Sequence, residues 1–209
     1  MNRSQRQKLF LLIVVLAVLG ALLARRFRQV SKPWGGGPAC GETCGVVRWA
    51  VKTLSDSGAS AIDFHPRAVT VRWLTQQAAP VELREEARSS PIEEQVFVVR
   101  ARLVGIKEEQ DRDVHIVIAD LDDDSATMIV EIPSPMCAGA CASGHASEFE
   151  AARDAVETRC GPPRERFETV AGEQIVTVTG IGFFDFLHRQ RGVAPNGIEL
   201  HPVLSVQFE

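Results

Sequence analysis

With 209 residues and 45% hydrophobic content, the chain can bury one good core and a small appendage. Seven of its 23 basic residues lie in positions 1–32, which hold no acid, leaving 16 against 27 acidic residues, about −11 for the remainder. A surface of that sign argues against long contact with a phosphate backbone, so nucleic acid is not an expected partner.

Residues 1–30 read as an N-terminal signal-anchor or transmembrane helix. Arg3, Arg6 and Lys8 precede sixteen apolar or small residues, Leu9 to Ala24, and Arg25, Arg26 and Arg28 follow. Crossing about 30 Å of hydrocarbon takes about 20 residues, so the run is short for a span, yet it is long for the apolar part of an export signal. No small-x-small cleavage site follows, and the arginines behind the run would hinder cutting. The expectation is an uncleaved single-pass anchor in the cell membrane through residues 9–24. A secreted form after signal cleavage and a buried helix are the alternatives. Basic residues flank both ends, so charge does not choose the orientation. The cysteines lean toward export: Cys40, Cys44, Cys137, Cys141 and Cys160 are many for a small cytosolic domain.

Residues 31–45 form a Gly/Pro-rich linker that carries the first cysteine pair. Positions 46–94 read as an extended N-terminal arm packed on the main domain. Within it Val47, Trp49 and Val51 alternate as a short strand would, and Val69 to Leu74 suits a strand or a helical turn.

From Gln95 the pattern strengthens. Val96–Ile106 is one long strand with Val99, Ala101 and Leu103 on one face. Asp113–Ala119 follows, with Val114, Ile116 and Ile118 facing in and His115 out, then Thr127–Ile132 with Met128, Val130 and Ile132 inward. Pro133 and Pro135 end that strand. Ser147-x-x-Glu150 reads as a capping box for a helix that carries Phe149, Ala152, Val156 and Cys160 at helical spacing and stops at Gly161-Pro162-Pro163. Two alternating strands close the chain, Ile175 onward and Ile198–Phe208, joined by a connector with a Pro195-Asn196-Gly197 turn. The fold class is mainly β (α+β): an OB-like five-stranded barrel over 95–209 with one helix between strands three and four, plus the N-terminal membrane helix. The runner-up is another small barrel or a sandwich that uses the arm as an extra strand.

Three strings, WAVKTLSD at 49–56, DVHIVIADLDDDSATMIVEIPSPMC at 113–137 and VTGIGFFDFLHRQRGVAPNGIELHPVL at 178–204, resemble a family of uncharacterised bacterial exported or membrane-anchored proteins. The resemblance covers most of 46–208. Family members usually carry glycine where Arg189 stands and threonine where Arg191 stands, so this connector is more basic. The resemblance implies export and a single domain, and no reaction or catalytic set.

Four groups of residues bear on chemistry. Cys40-x3-Cys44 and Cys137-x3-Cys141 are like-spaced pairs, suited to disulfides in an oxidising compartment, with a four-thiolate zinc site or free thiols as alternatives. Cys160 is positioned to bridge to Cys137 or Cys141, and an odd cysteine remains unpaired or links chains. Asp120, Asp122 and Asp124, with Glu131 at the twelfth place, have the spacing of a calcium loop, but Ser125 stands where such a loop needs glycine, and a solvated turn is the expected reading. Asp185, His188, Glu199, His201 and His115 are the acids and histidines that could converge in a barrel. Phe183, Phe184 and Phe186 form one aromatic cluster, expected in the core. No nucleophile elbow, HExxH or phosphate loop accompanies them.

The leading expectation is a membrane-anchored extracytoplasmic binding or interaction module without catalysis or cofactor, whose ligand is an unknown protein or small molecule. The connector would recognise it through His188, Arg189, Arg191, Asn196 and His201. One alternative is a divalent-metal-dependent hydrolase or nuclease using Asp185, His188 and His201; another is a disulfide-linked structural subunit.

Overall fold

The computed structural model describes residues 40–187 and 190–209. The expected anchor over 1–30 and most of the linker lie outside those residues, as do His188 and Arg189. Among the described residues no helix is long and apolar enough to cross a membrane. Ala39–Glu209 forms one compact unit, so the arm and the barrel share a body.

The arm supplies helix α1 (Trp49–Lys52), strand β1 (Asp63–Val69) and helix α2 (Val71–Thr75). Strands β2 (Gln95–Glu108), β3 (Val114–Ala119) and β4 (Thr127–Ile132) follow, then helix α3 (Ala146–Cys160). The chain ends with a short β5 (Glu168–Thr169), β6 (Ile175–Phe184) and β7 (Ile198–Phe208).

Five strands close into a barrel in the order β2-β3-β4-β7-β6, with β6 pairing back on β2. β4 and β7 run parallel; the other neighbours are antiparallel. Closure depends on the length of β2, whose Val96–Arg102 pairs with β6 and whose Arg102–Glu108 pairs with β3. A register shift between Leu103 and Gly105 bends the strand near that exchange. Gly105 lacks a Cβ for a steric reason, since one there would strike the Phe167 ring and the Glu168 carbonyl where β5 lies on β2.

Period-two alternation fills the interior with Val99, Ala101, Leu103, Val114, Ile116, Ile118, Met128, Val130, Ile132, Val176, Val178, Ile198 and Leu200. Phe149, Ala152 and Val156 of α3 enter the same cluster. Phe149 and Val156 each contribute about 1.5–3 kcal/mol on burial, which is why the helix stays against the barrel. β1 adds to β2 in parallel, so the arm does provide an extra strand.

Two disulfides staple the arm to the loop after β4: Cys40–Cys141 and Cys44–Cys137, each with Cα atoms 5.6 Å apart. Backbone bonds reinforce them, from Gly41 N–H to the Met136 carbonyl (3.2 Å) and from Ala138 N–H to the Glu42 carbonyl (3.1 Å). Cys160 is free, which corrects the expected bridge to Cys137 or Cys141; those sulfurs are already taken by Cys44 and Cys40.

Two further expectations are corrected. Residues 47–51 do not form a strand, because Arg48 turns the chain at φ 52° and Lys52 N–H bonds to its carbonyl, starting α1. The capping box is displaced: α3 begins at Ala146 with His145 before it, so Ser147 already lies inside the helix and its hydroxyl donates to Glu148 Oε2 at 2.8 Å. His145 Nδ1, 3.1 Å from Glu148 Oε1, takes the position expected of the serine. The stretch left open as strand or helical turn splits at Thr70, whose Oγ1 accepts the Trp73 N–H at 3.0 Å and starts α2.

Candidate functional site

Strands β3, β4 and β7 expose polar residues on the face opposite the barrel interior, and those residues are nevertheless buried. His115, Glu131, Glu199 and His201 are 0–5% exposed. Period two places them outward. The cover comes from elsewhere. Lys52 of α1 reaches into this layer, with its ammonium 5.5 Å from the centroid of the Phe183 ring and 3.4 Å from Asp185 Oδ2. Arg48, four residues earlier, lies over the same ring at 4.5 Å. The connector adds Gly192, where a Cβ would strike Val117, and Gln190, which donates to Glu109 Oε1 at 3.3 Å.

Glu131 is the hub. Its direct cross-strand partner is His115, whose Nδ1 lies 2.9 Å from Oε1. Its other oxygen, Oε2, is 3.1 Å from His201 Nδ1, and the far side of that ring faces Asp113, with Nε2 3.2 Å from Oδ2. Both contacts of His201 are at ion-pair distance yet out of line with the ring N–H bonds, so neither ring nitrogen nor Asp113 Oδ2 makes an aligned hydrogen bond. His115 Nε2 and Glu199 Oε2 are likewise buried without a partner. Beyond His115, Glu109 Oε1 sits 3.2 Å from Nδ1 and accepts Lys107 at 2.6 Å.

Charge crowding perturbs these groups. Burial raises Asp113 to about 6 against the pull of His201. Burial, then repulsion from Glu131 and Asp185, raises Glu199 to about 8. Burial alone would push both histidines down, but hydrogen bonding to Glu109 and Glu131 lifts His115 to about 9, and Asp113 and Glu131 lift His201 to about 9. Burial opposes ionisation of Glu131, yet the two histidines and Lys52 hold it well below the usual carboxylate range. Burial disfavours the Lys52 ammonium, and Glu131, Asp185 and Glu199 outweigh it, so its pKa rises.

The connector residues separate. Arg191 is exposed, its guanidinium 5.0 Å from the Phe167 ring centroid. Asn196 turns inward: its Nδ2 donates to the Leu74 and Gln77 carbonyls at 3.0 and 2.9 Å, and its Oδ1 accepts Ile198 N–H at 3.2 Å. It fixes the turn onto the end of α2. His201 is fully buried, so it does not line a surface loop. Of Asp185, His188 and His201, the first pairs with Lys52 and the last meets Asp113 and Glu131, while His188 lies outside the described residues. Asp113 and Lys52 were not singled out from the sequence, and Glu131 only as a calcium ligand. Asp113-x-His115 and Glu199-x-His201 carry the signal, each putting an acid and a histidine on one face of a strand.

The acidic run is a turn. Asp120 accepts Arg72 N–H at 2.8 Å and Asp122 N–H at 3.0 Å, and Asp124 pairs with Arg102, while Glu131 turns to the histidines. Cys160 is half-buried, and burial pushes its thiol pKa up, away from the reactive thiolate.

Comparison with protein families, curated proteins and solved structures finds no match.

Proposed function

We propose that the protein is a membrane-anchored module held on the extracytoplasmic side, an OB-type barrel that binds a partner rather than turning over a substrate. The observation that carries this reading is the pair of disulfides, which span sequence separations of 101 and 93 residues and join the end of the linker to the loop after β4. Such bonds persist where the surroundings are oxidising. The barrel order β2-β3-β4-β7-β6, its parallel β4–β7 pair and the helix between β4 and β6 support the OB assignment.

Two features favour binding over turnover. The acid–histidine groups lie under an arm that is covalently tied down, so a substrate could reach them only if the arm moved. The connector meanwhile presents Leu187 (65% exposed) and Arg191 to solvent from a turn braced by Asn196, as a recognition loop on a rigid support would. The test is a reporter fused after Glu209 of the full chain. An enzyme that folds only after export should be active there, and a reporter that works only in the cytosol should be silent. The opposite pattern removes the extracytoplasmic reading.

A further inference from the structure

We propose that Asp113, Glu131 and His201 form a site for one divalent transition-metal ion of the zinc class. One oxygen from each carboxylate and one ring nitrogen lie within 4.8 Å of one another, all buried. The three side chains come from the residue before β3, from β4 and from β7, neighbouring strands of a closed barrel, so their positions are set before any ion arrives.

The geometry distinguishes coordination from an ordinary ion-pair clasp. A clasp between an imidazolium and two carboxylates would aim each ring N–H at an oxygen, because buried polar groups are normally hydrogen-bonded. His201 has oxygens 3.1 and 3.2 Å from its two nitrogens but an aligned bond to neither, and Asp113 Oδ2 is left over with them. An ion takes one of the two ring nitrogens, so one of these contacts is a ligand–ligand pair of the kind that zinc holds roughly 3–3.6 Å apart, and the other carboxylate joins from within the 4.8 Å spread of the three donors. The donor set of one imidazole and two carboxylates suits zinc and its neighbours. His115 is a positioning residue here: its Nδ1 holds the outer oxygen of Glu131 at 2.9 Å, and Glu109 stands behind it. A bound ion would also brace β4 against β7, a parallel pair joined at only Ile129–Glu199 and Val130–Leu200.

This inference does not depend on which side of the membrane the domain occupies. It is tested on the full chain, solubilised with its disulfides intact, stripped with chelator and titrated with zinc or cobalt(II). One ion per chain is expected, with an X-ray absorption spectrum containing nitrogen and oxygen scatterers and an imidazole signature. Sulfur scattering, or less than about a tenth of an ion per chain, would overturn the site, and both readings are made on the unmodified chain. Glu131→Gln and His201→Gln should weaken binding by more than about 100-fold, and His115→Gln by about 10–100-fold. His65→Ala, at an exposed histidine, should leave it unchanged. Equal affinity in Glu131→Gln and the unmodified chain would equally refute the assignment.

Discussion

Arg48 and Glu93, 45 residues apart, form a two-pronged ion pair with no solvent exposure, both N–O distances being 2.8 Å. The guanidinium also donates to the carbonyls of Arg84, Ala87 and Phe184, and Glu93 accepts the N–H groups of Ser89 and Phe184. Every charge-bearing atom of the pair is therefore satisfied inside the fold. A second buried pair, Arg88 with Asp56, fastens the same arm at 2.6 Å.

Breaking the first pair from one side leaves the other charge stranded. Arg48→Met should cost about 3–5 kcal/mol in urea denaturation, and Arg48→Met with Glu93→Met should recover much of that loss. A double variant no more stable than the single would show that Arg48 acts through packing alone.

The disulfides hold the arm as a lid on the buried layer. Replacing Cys44 and Cys137 together by serine should cost about 2–5 kcal/mol and raise hydrogen exchange over residues 46–56 before it does so in β3 or β4. Uniform loosening of the barrel would mean that the arm is not a separate layer of stability.

The chelator-treated domain should lose stability as pH rises. Asp113, Glu199, His115 and His201 have folded pKa values of about 6, 8, 9 and 9 against ordinary values of 3.8, 4.5, 6.5 and 6.5. All four are raised, so the folded state holds the extra protons. Their contribution is fully present below the ordinary values and is lost as pH climbs through 6 to 9, with a slope of about 1.4 kcal/mol per pH unit for each proton in excess. Glu131 has the opposite sign, and its contribution is lost only as pH falls below the usual carboxylate range. Denaturant midpoints between pH 6 and 9 should fall for the stripped protein and flatten with zinc present, because the ion takes the place of the protons. Midpoints that rise over this window would contradict the charge balance described.

Gly182 on β6 is packed from outside. A Cβ there would strike the Ile92 carbonyl and come within 2.9 Å of the Phe97 ring. Gly182→Ala should destabilise by about 1–3 kcal/mol, whereas Gly144→Ala, with open space around it, should leave the midpoint nearly unchanged.

The barrel was legible because alternation reports a buried face directly. The expected strand Val96–Ile106 lies inside the observed Gln95–Glu108, and Thr127–Ile132 is matched at both ends. Alternation says which residues face outward and nothing about what covers them. His115 was expected on the outer face, where it lies with Glu199 and His201, yet the cover over that face includes Lys52 and Arg48, which come from a separate stretch of the chain. α1 could not be read at all: four residues are too few to show a helical period, and the turn that starts it rests on Arg48 in a left-handed conformation, held by partners between 84 and 184. Asn196 looked like a loop donor because asparagine suits turns and ligands alike; its bonds to Leu74 and Gln77 are contacts between distant segments that no local pattern encodes.

The most direct measurement is non-reducing peptide mapping of the full chain taken from the cells that produce it, after alkylation in denaturant. The account predicts linked peptides joining Cys40 to Cys141 and Cys44 to Cys137, with the alkyl group on Cys160 alone. Alkylation of all five cysteines would contradict it, and with it the stapled arm and the oxidising compartment.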